Sequence, residues 1–535
     1  MAILLCVCVV RLLRPNFLEQ VEGITYDLRA RTALNFPAPI ATNFAFVAIE
    51  DSSIKAVLSG NLGYQFGLNW PRQVFGRLIK ELSDQGARAV AFDVQFGELR
   101  PDHPQVQMAN GDIMNSDPFF AVYCRLAGNV ILAATPDLMP PDLFATNALA
   151  IGDITTEKDS DGVLRRVKAF RIYRHWHPLF QKAASDFDLD LASAKFTRGK
   201  IVLPQIGTTN VVEVPVDAEG NFEVADVVGD KIPPGLPPRA RVFTEERVWH
   251  MGIVLAAQEL GLDLTHADVD LPNGRIALHG TNGLVRVIPV DANGSFYVDW
   301  RLKPVDPHIT SKPIEDLLMQ YNERRAGETN GLSDVFQNKL VVVGSAAQGN
   351  NLTDRGATPL EKDTLLVSKH WNVANSIITD RFIRRTSLHT ELALIVFLGA
   401  LTAFLTWQLR VDVASTTVFL LVLAYVATGF YLFVESRIWL PLVFPVAGML
   451  VEHLSLVTYR VAFEEREQRR VKSVFSKIVS PDVVNELLGA KKLSLGGALN
   501  QIQVTVGQRV KTAGINRRAH GQTLSRRAKN KTGKL

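Results

Sequence analysis

Residues 71–93, PRQVFGRLIKELSDQGARAVAFD, contain a helix, a stop signal and a strand in direct succession. Proline is favoured in the first turn of a helix, and the apolar residues between 74 and 82 recur on one helical face. Gly86 ends this helix. The apolar run at residues 87–92 then has the length of a buried strand, which ends at Asp93. The stretch therefore predicts a helix that packs against a strand of a covered sheet.

Strands of the same kind occur on both sides of this stretch. Residues 44–50, 129–134 and 339–344 are short apolar runs, and amphipathic segments lie between them. Continuous apolar strands joined by helices imply a mostly parallel sheet that is buried on both faces. We therefore predict an α/β domain over residues 16–386.

Two segments in the middle of this domain repeat each other at an offset of about 75 residues. Residues 199–204, GKIVLP, are echoed by residues 274–279, GRIALH, and residues 214–222, VPVDAEGNF, by residues 288–296, IPVDANGSF. Each unit predicts a pair of strands with an Asp-x-x-Gly turn. We expect one of these β-hairpin units to be an inserted duplicate, since two copies are too few for a solenoid.

Three apolar runs follow the α/β domain, at residues 388–407, 411–434 and 438–461. Each has about the twenty residues needed to cross a bilayer, and the short connectors predict antiparallel neighbours. Pro441 and Pro445 predict a bend in the third helix. Glu452 and His453 also lie in this run. Either the helix has left the bilayer at this point, or the pair is a functional polar site inside the membrane.

The first fifteen residues, MAILLCVCVVRLLRP, predict part of a transmembrane helix, because the apolar run is too short to span. A poor signal peptide is the alternative, although no cleavage site of small residues follows. Four spans place both termini on one side, and the Lys and Arg of residues 460–472 mark that side as cytoplasmic. We therefore expect a multi-pass protein of the bacterial plasma (inner) membrane with an extracytoplasmic domain. Arg381, Arg384 and Arg385 oppose this orientation.

Residues 462–490 predict a cytoplasmic coiled-coil linker. A heptad seam that begins in the third apolar run, with polar residues at Glu464 and Gln468, continues through this linker and would form a parallel dimer, with an ordinary amphipathic helix as the alternative. The proposed dimer positions are Val457, Val461, Val471, Phe475 and Ile478. Residues 491–535 contain eleven Lys or Arg and no Asp or Glu, and predict a disordered basic tail. We expect a frameshift near residue 498 to explain it, with a genuine lipid-binding or nucleic-acid-binding tail as the alternative. We predict no nucleic-acid partner.

Four residues at strand and helix ends are candidate ligand-binding residues: Asp51, Trp70, Arg72 and Asp93. Ligands gather at the carboxyl ends of strands in open α/β sheets, although such residues also cap helices and fix loops. The three cysteines exclude a disulfide framework. No nucleophile, base and orienting group occur together, so the sequence predicts no catalytic residue, no metal site and no cofactor in this chain.

Several of these stretches resemble the CHASE2 family of extracytoplasmic sensor domains. The matching segments are residues 26–29 (YDLR), 46–51 (FVAIED), 69–72 (NWPR), 86–94 (GARAVAFDV), 161–166 (DGVLRR), 340–344 (LVVVG) and 357–359 (ATP). The resemblance implies a sensor that precedes three transmembrane helices and an output module. The inserted duplicate unit departs from this pattern.

Residues 475–488, FSKIVSPDVVNELL, and 493–497, LSLGG, are similar to the beginning of a class III nucleotide cyclase domain. That resemblance implies a dimeric adenylate or guanylate cyclase that uses Mg²⁺ or Mn²⁺ in the full-length parent. Residues 504–510, VTVGQRV, depart from the pattern, because they provide no carboxylate for a metal. We therefore expect this chain to be an inactive cyclase that retains the sensor and membrane portion.

The sequence thus predicts a membrane signal-transduction sensor. The alternative is a standalone membrane receptor or scaffold that signals through a partner protein. The expected partners are membrane lipid, a second copy of the chain bound through the linker, and an unknown extracytoplasmic ligand.

Overall fold

The computed structural model describes residues 2–108, 111–228, 235–328, 333–348 and 353–475. Two compact units, Met1–His453 and Leu454–Leu535, make up the chain. The fold and the sites described below belong to the first unit. Ile478 and the predicted basic tail lie outside the described residues, so the dimer coil and the tail stay predictions.

Fourteen α-helices occur in the described part of the chain. They are α1 (Ala2–Leu13), α2 (Asn16–Ala33), α3 (Asp51–Ser59), α4 (Arg72–Asp84), α5 (Ser116–Ala127), α6 (Asp142–Ala145), α7 (Pro178–Phe187), α8 (Ala225–Val228), α9 (Met251–Leu260), α10 (Ile314–Arg325), α11 (Ser368–Ile378), α12 (Leu388–Gln408), α13 (Val411–Ser436) and α14 (Val443–Phe475).

The same residues contain twenty-four strands, many of them short. They are β1 (Phe44–Ile49), β2 (Ala89–Asp93), β3 (Val106–Gln107), β4 (Ile113–Met114), β5 (Val130–Ala134), β6 (Ala150–Asp153), β7 (Arg166–Lys168), β8 (Phe170–Trp176), β9 (Lys195–Thr197), β10 (Lys200–Pro204), β11 (Val211–Pro215), β12 (Asn221–Glu223), β13 (Arg239–Arg241), β14 (Phe243–Trp249), β15 (Asp263–Asp270), β16 (Arg275–His279), β17 (Val285–Pro289), β18 (Ser295–Tyr297), β19 (Thr310–Pro313), β20 (Leu340–Ser345), β21 (Arg355–Gly356), β22 (Thr364–Leu365), β23 (Arg384–Arg385) and β24 (Ile438–Trp439).

The central sheet has six strands in the order β19-β1-β20-β2-β5-β6, and every neighbouring pair is parallel. Val342 of β20 lies between Phe46 of β1 and Ala91 of β2. Because all six strands run in one direction, their carboxyl ends meet at one edge. The four apolar runs that predicted this sheet are confirmed as strands β1, β2, β5 and β20.

Helices cover both faces of this sheet. On one face α4, α5 and α10 bury Leu78, Phe120 and Leu317 against Val343. On the other face α9 and α11 bury Ile253 and Trp371 against the alternate side chains of the same strands. Burial on both faces is the reason that these strands are continuous apolar runs rather than alternating ones.

The internal repeat is longer than the predicted hairpins. Strands β7–β12 with α7 form one copy, and β13–β18 with α9 form the other. Strands β8 and β14 pair with each other in an antiparallel register in which Phe170 faces Trp249 and Trp176 faces Phe243. The first strand of each copy pairs with the last strand of the other, β7 with β18 and β12 with β13. The two copies are therefore related by a local twofold arrangement with exchanged strands.

The two copies have different surroundings. Helix α9 lies against the central sheet, and its Val254 and Leu255 are buried. In α7 the corresponding positions are Gln181 and Lys182, which are exposed. The first copy instead has a core of its own, made by Phe180, Ile201, Leu203, Phe222 and Val242. The described residues between β8 and β14, 177–228 and 235–242, thus pack apart from the central sheet, and we call them the lobe; that one unit is an inserted duplicate stays a prediction.

Three helices are long and apolar enough to cross a membrane: Leu388–Gln408, Val411–Ser436 and Val443–Phe463. The first two confirm the predicted runs. The predicted start of the third was wrong, because residues 438 and 439 form β24 and pair in parallel with β23. Pro441 then precedes the helix, and Pro445 lies in its first turn, where proline is tolerated.

The polar pair of the third membrane helix is buried inside the bundle. Glu452 and His453 are both buried, so the helix has not left the bundle at this point. The His453 ring nitrogens lie 2.9 Å from the Thr406 hydroxyl of α12 and 3.1 Å from the Ser415 hydroxyl of α13. Helix α1 packs on α12, where Leu4 occupies the space left by Gly399. The polar pair is thus a link among the membrane helices.

The separate core of the lobe predicts that it unfolds independently. Phe180→Ala removes an aromatic ring from that core, and such a truncation costs about 3–5 kcal/mol. We expect hydrogen–deuterium exchange to accelerate in β9–β12 while α9 and the central sheet stay protected. Ile253→Ala, at the corresponding position of α9, is the matched control and should expose the sheet. Equal loss of protection in the sheet after Phe180→Ala would contradict a separate lobe core.

Candidate functional site

A cleft of about 930 Å³ lies at the carboxyl edge of the central sheet. Residues at or just beyond the ends of five strands line it: Ile49, Asp93, Thr135, Ile154 and Ser345. Trp70 and Phe75 add an apolar wall. This is the place at which α/β sheets of parallel strands hold ligands.

Three of the four predicted site residues line this cleft. They are Trp70, Arg72 and Asp93. Asp51 does not line it. Its carboxylate accepts a hydrogen bond from the backbone of Gln348 at 3.2 Å, at the start of α3. The role of the three lining residues in ligand binding stays a prediction.

One end of the cleft is basic. Arg72 begins α4, and its guanidinium lies 4.9 Å from the centre of the Phe96 ring. Among the described residues, no carboxylate lies within ion-pair distance of Arg72. Both ring nitrogens of His103 are buried without a hydrogen-bond partner in the described chain. Burial, together with the charges of Arg100 and Arg72, lowers the pKa of His103. This end therefore offers a ligand a guanidinium that has no ion-pair partner among the described residues.

The floor of the cleft contains a buried titratable cluster. The Asp93 carboxylate lies 3.5 Å from Nε2 of His370, and the rings of His370 and His250 are 5.4 Å apart. Burial would raise the pKa of Asp93, but His370 and Lys369 lower it overall. Burial lowers the pKa of both histidines, most strongly for His250, which also faces His370 and Lys369. His250 caps α9 by accepting a hydrogen bond from the Gly252 N–H at 3.1 Å.

The opposite wall of the cleft is a network of satisfied polar groups. Asp153 accepts hydrogen bonds from Arg171 at 3.1 Å and from the Tyr173 hydroxyl at 2.7 Å. Arg171 also pairs with Glu157 at 2.9 Å. Lys369 donates to the carbonyl of Ile154 at 2.7 Å. These side chains are held by one another, so this wall is fixed before any ligand arrives.

The arrangement suits a small polar ligand. The basic end can pair with an anionic group, the fixed wall offers hydrogen bonds, and the ring of Trp70 supplies an apolar surface. In the part of the chain that the structure describes, no group of three or more His, Cys, Asp or Glu residues could hold a metal ion.

A second polar assembly joins the α/β domain to the membrane helices, and we call it the junction. At its centre is Glu22 of α2, which is buried. Its carboxylate accepts hydrogen bonds from the N–H groups of Leu442 and Val443 at 3.0 and 2.9 Å, and thus caps the start of α14. It also accepts from the Trp439 indole at 2.9 Å and pairs with Arg29 at 3.0 Å.

The connector between α13 and α14 is held from the other side by Asp299. This carboxylate pairs with Arg437 at 3.0 Å and with Arg381 at 3.6 Å. Arg437 ends α13 in the left-handed conformation, with φ of 56°. Such a conformation is costly for a residue other than glycine, so the ion pair helps to hold it. The connector between α13 and α14 is therefore bound at two points, by Glu22 and by Asp299.

The third contact of the junction joins α2 to the sheet domain. Arg165 forms a two-pronged ion pair with Asp27 at 2.8 Å for each contact. Arg165 also pairs with Asp161 at 2.6 Å. Gly23 allows the Arg165 side chain to approach α2 closely, since a Cβ atom at this position would lie 3.0 Å from the guanidinium carbon. Burial would lower the pKa of Arg165, but the two carboxylates raise it overall.

The junction brings together two of the sequence segments on which the resemblance rests, residues 26–29 and 161–166. The family model described as CHASE2 domain matches residues 2–405. The chain belongs to the CHASE2 family. The matched range begins within α1 and ends within α12, so it includes the junction as well as the α/β domain. Neither the curated proteins nor the solved structures contain a match.

CHASE2 is an extracytoplasmic sensor domain of membrane proteins, and three helices of this chain are apolar enough to span. The protein is therefore a membrane sensor. Sequence reasoning missed most of the residues that form its two sites. The missed residues are Arg100, His103, Arg171 and Lys369 of the cleft, and Glu22 and Asp299 of the junction. His250 could have been predicted as a helix cap from a longer alignment of the internal repeat. It corresponds in that alignment to His177, and the two histidines cap α9 and α7.

The buried His250 predicts a specific pH dependence of stability. The folded state holds this ring neutral, whereas the unfolded ring has a pKa of about 6.5. Below that pH the unfolded state binds more protons, so the free energy of unfolding falls as the pH drops.

His250→Asn keeps the helix cap and removes the titration. Between pH 7 and pH 5 we expect the melting temperature of the variant to fall less than that of the native chain. The native chain should lose about 1.4 kcal/mol of its free energy of unfolding per pH unit through the uptake of one proton by His250, and the variant should not. His266→Asn changes an exposed histidine and is the control. Parallel pH profiles for the native chain and His250→Asn would show that the ring is not held neutral.

Proposed function

We propose that this CHASE2 protein senses a small polar solute in the cleft and transmits binding to its membrane helices through the junction. The observation that supports this proposal is that a single helix, α11, contacts both the cleft and the junction. Its second residue, Lys369, lines the cleft, and the next residue, His370, contacts Asp93. The far end of the helix bonds the chain segment that carries Asp299.

The contacts at the far end of α11 are specific. The Ser376 hydroxyl accepts a hydrogen bond from the Asp299 N–H at 3.1 Å. The side chain of Asn372 accepts from the N–H groups of Arg301 and Leu302 at 2.8 and 2.9 Å. Helix α11 has 11 residues, so it is about 16 Å long. A small shift of this rigid element at the cleft would move the segment that holds Arg437, and with it the connector between α13 and α14.

We place the sensor domain outside the cytoplasm, as its family membership supports. The arginines before α12 opposed this orientation in the sequence. Arg385 pairs with Glu19 at 3.0 Å, and Arg381 pairs with Asp299. These two arginines are therefore bound within the domain, which explains why they are tolerated at this position.

For the output, the proposal is a class III adenylate or guanylate cyclase in the full-length parent, which would work as a dimer with Mg²⁺ or Mn²⁺. The support is the resemblance of residues 475–488 and 493–497 to the beginning of such a domain. The second candidate is a standalone receptor or scaffold that signals through a partner protein. Cyclic nucleotide formation by the full-length parent in response to a solute would favour the first candidate.

The Arg72 guanidinium, which has no ion-pair partner among the described residues, predicts which ligands the cleft prefers. We expect that the full chain in lipid nanodiscs is stabilised by some members of a panel of citrate, glutamate, inorganic phosphate and glucose. The stabilisation should be greatest for an anion, and Arg72→Gln should weaken its apparent affinity about tenfold or more. Thermal shift as a function of solute concentration measures both quantities.

Arg88→Gln is the matched control, because Arg88 lies at the amino end of β2 and pairs with Glu259, away from the cleft. Equal loss of affinity in both variants, or an anion response that survives Arg72→Gln unchanged, would show that the anion binds elsewhere.

A further inference from the structure

A second cavity, of about 760 Å³, lies where the α/β domain meets the membrane helices. Its walls come from the turn between α1 and α2, from the loops beside β7 and β18, and from residues 383–388. Leu388 lines this cavity and is the first residue of a helix that can span a membrane. The cavity therefore lies beside the start of a candidate membrane helix.

Charged side chains line this cavity, and two of its arginines, Arg11 and Arg165, also pair with Glu391 and Asp27 outside the lining. Six arginines face four carboxylates: Arg11, Arg14, Arg165, Arg166, Arg384 and Arg385 against Glu19, Asp159, Asp161 and Asp291. All four carboxylates are already in ion pairs. Glu19 pairs with Arg11 and Arg385, and the three aspartates pair with Arg165 and Arg166. Within the described chain, Arg14 and Arg384 have no carboxylate partner.

The two remaining arginines lie beside lipid-facing surface. Arg14 follows α1 directly, in a left-handed conformation with φ of 48°. Its neighbours Leu13 and Phe17 are 74% and 69% exposed, and they adjoin the end of the apolar helix α1. Arg384 lies four residues before Leu388.

We propose that this cavity binds the phosphate headgroup of an anionic phospholipid from the leaflet that faces the α/β domain. Guanidinium groups match the geometry of phosphate oxygens and bind them by paired hydrogen bonds. Arg14 and Arg384 offer a phosphate group two guanidinium groups that have no carboxylate partner in the described chain. The acyl chains would lie along the exposed side chains of Leu12, Leu13 and Phe17. This inference depends only on the membrane crossing and not on the cleft or its ligand.

The headgroup would give Arg384 a partner and add a lipid contact to the turn between α1 and α2. That turn leads into the helix that carries Glu22. Lipid composition would thus act on the same helix that caps α14, independently of the solute bound in the cleft.

The test uses native mass spectrometry of the full chain with phosphatidylglycerol or phosphatidylcholine as the added lipid. We expect phosphatidylglycerol adducts to form at lower lipid concentration, and the double variant Arg14→Gln/Arg384→Gln to weaken them about tenfold or more. The matched control is Arg88→Gln/Arg239→Gln, which removes two exposed arginines outside the cavity. Equal binding of the two lipids, or equal loss in the control, would overturn the proposal.

Two further experiments distinguish the remaining explanations. If the glutamine variant does not fold, Arg14→Lys/Arg384→Lys retains the charge but loses the paired hydrogen bonds, and should weaken phosphatidylglycerol adducts severalfold. Lysine variants that bind as the native chain does would then exclude a guanidinium site. Millimolar glycerol phosphate should not displace the lipid, because it lacks acyl chains. Full displacement would identify a site for free phosphate instead of a lipid.

Discussion

The buried carboxylate of Glu22 is the interaction on which the rest of the structure depends. A charge in an apolar surrounding is costly unless hydrogen bonds and an opposite charge satisfy it. Glu22 meets this requirement only where the N–H groups that begin α14, the Trp439 indole and Arg29 converge. The position of α2 is therefore fixed with respect to the third membrane helix. Because Asp27 on the same helix binds Arg165, the α/β domain is fixed by the same element.

Buried ion pairs of this kind contribute less to stability than their number suggests, since desolvation offsets much of the attraction. Their effect is on geometry. Apolar packing alone, such as the ring contacts of Tyr26 with Trp439 and Phe433, would allow the domain to slide along the helices. Directional bonds from Asp299 to Arg437 and from Glu22 to the start of α14 allow few arrangements. A junction with few allowed arrangements can pass a shift of α11 on to the membrane helices.

The sequence predicted the parts of the structure that depend on local periodicity. Four of the six strands of the central sheet and the first two membrane helices were predicted because burial imposes an apolar pattern on adjacent residues. The start of the third membrane helix was wrong, because residues 438 and 439 pair with a strand more than fifty residues earlier. Helical periodicity does not reveal such a pairing. Local patterns likewise predicted the hairpins of the repeat. They could not predict the exchange of strands between its two copies, because the paired strands β7 and β18 are distant in the sequence.

The candidate sites were predicted only in part. Trp70, Arg72 and Asp93 were found because sites at strand ends follow from topology, while Asp51 at the same edge is bonded away from the cleft. The junction could not be found by spacing, since its partners are far apart in the chain. Glu22 and Leu442, for example, form a hydrogen bond of 3.0 Å and are 420 positions apart. Spacing also could not show that Arg381 and Arg385, two of the three arginines that oppose the expected orientation, pair with Asp299 and Glu19.

The most direct test is a double-mutant cycle between Asp299 and Arg437, with Asp299→Asn, Arg437→Gln and the double variant compared with the native chain. The measurement is the free energy of unfolding of the full chain in mixed micelles. A junction that joins the sensor domain to the membrane helices predicts an interaction energy of about 1–3 kcal/mol between the two residues. Effects that add to within about 0.3–0.5 kcal/mol would contradict it, because the two side chains would then act independently.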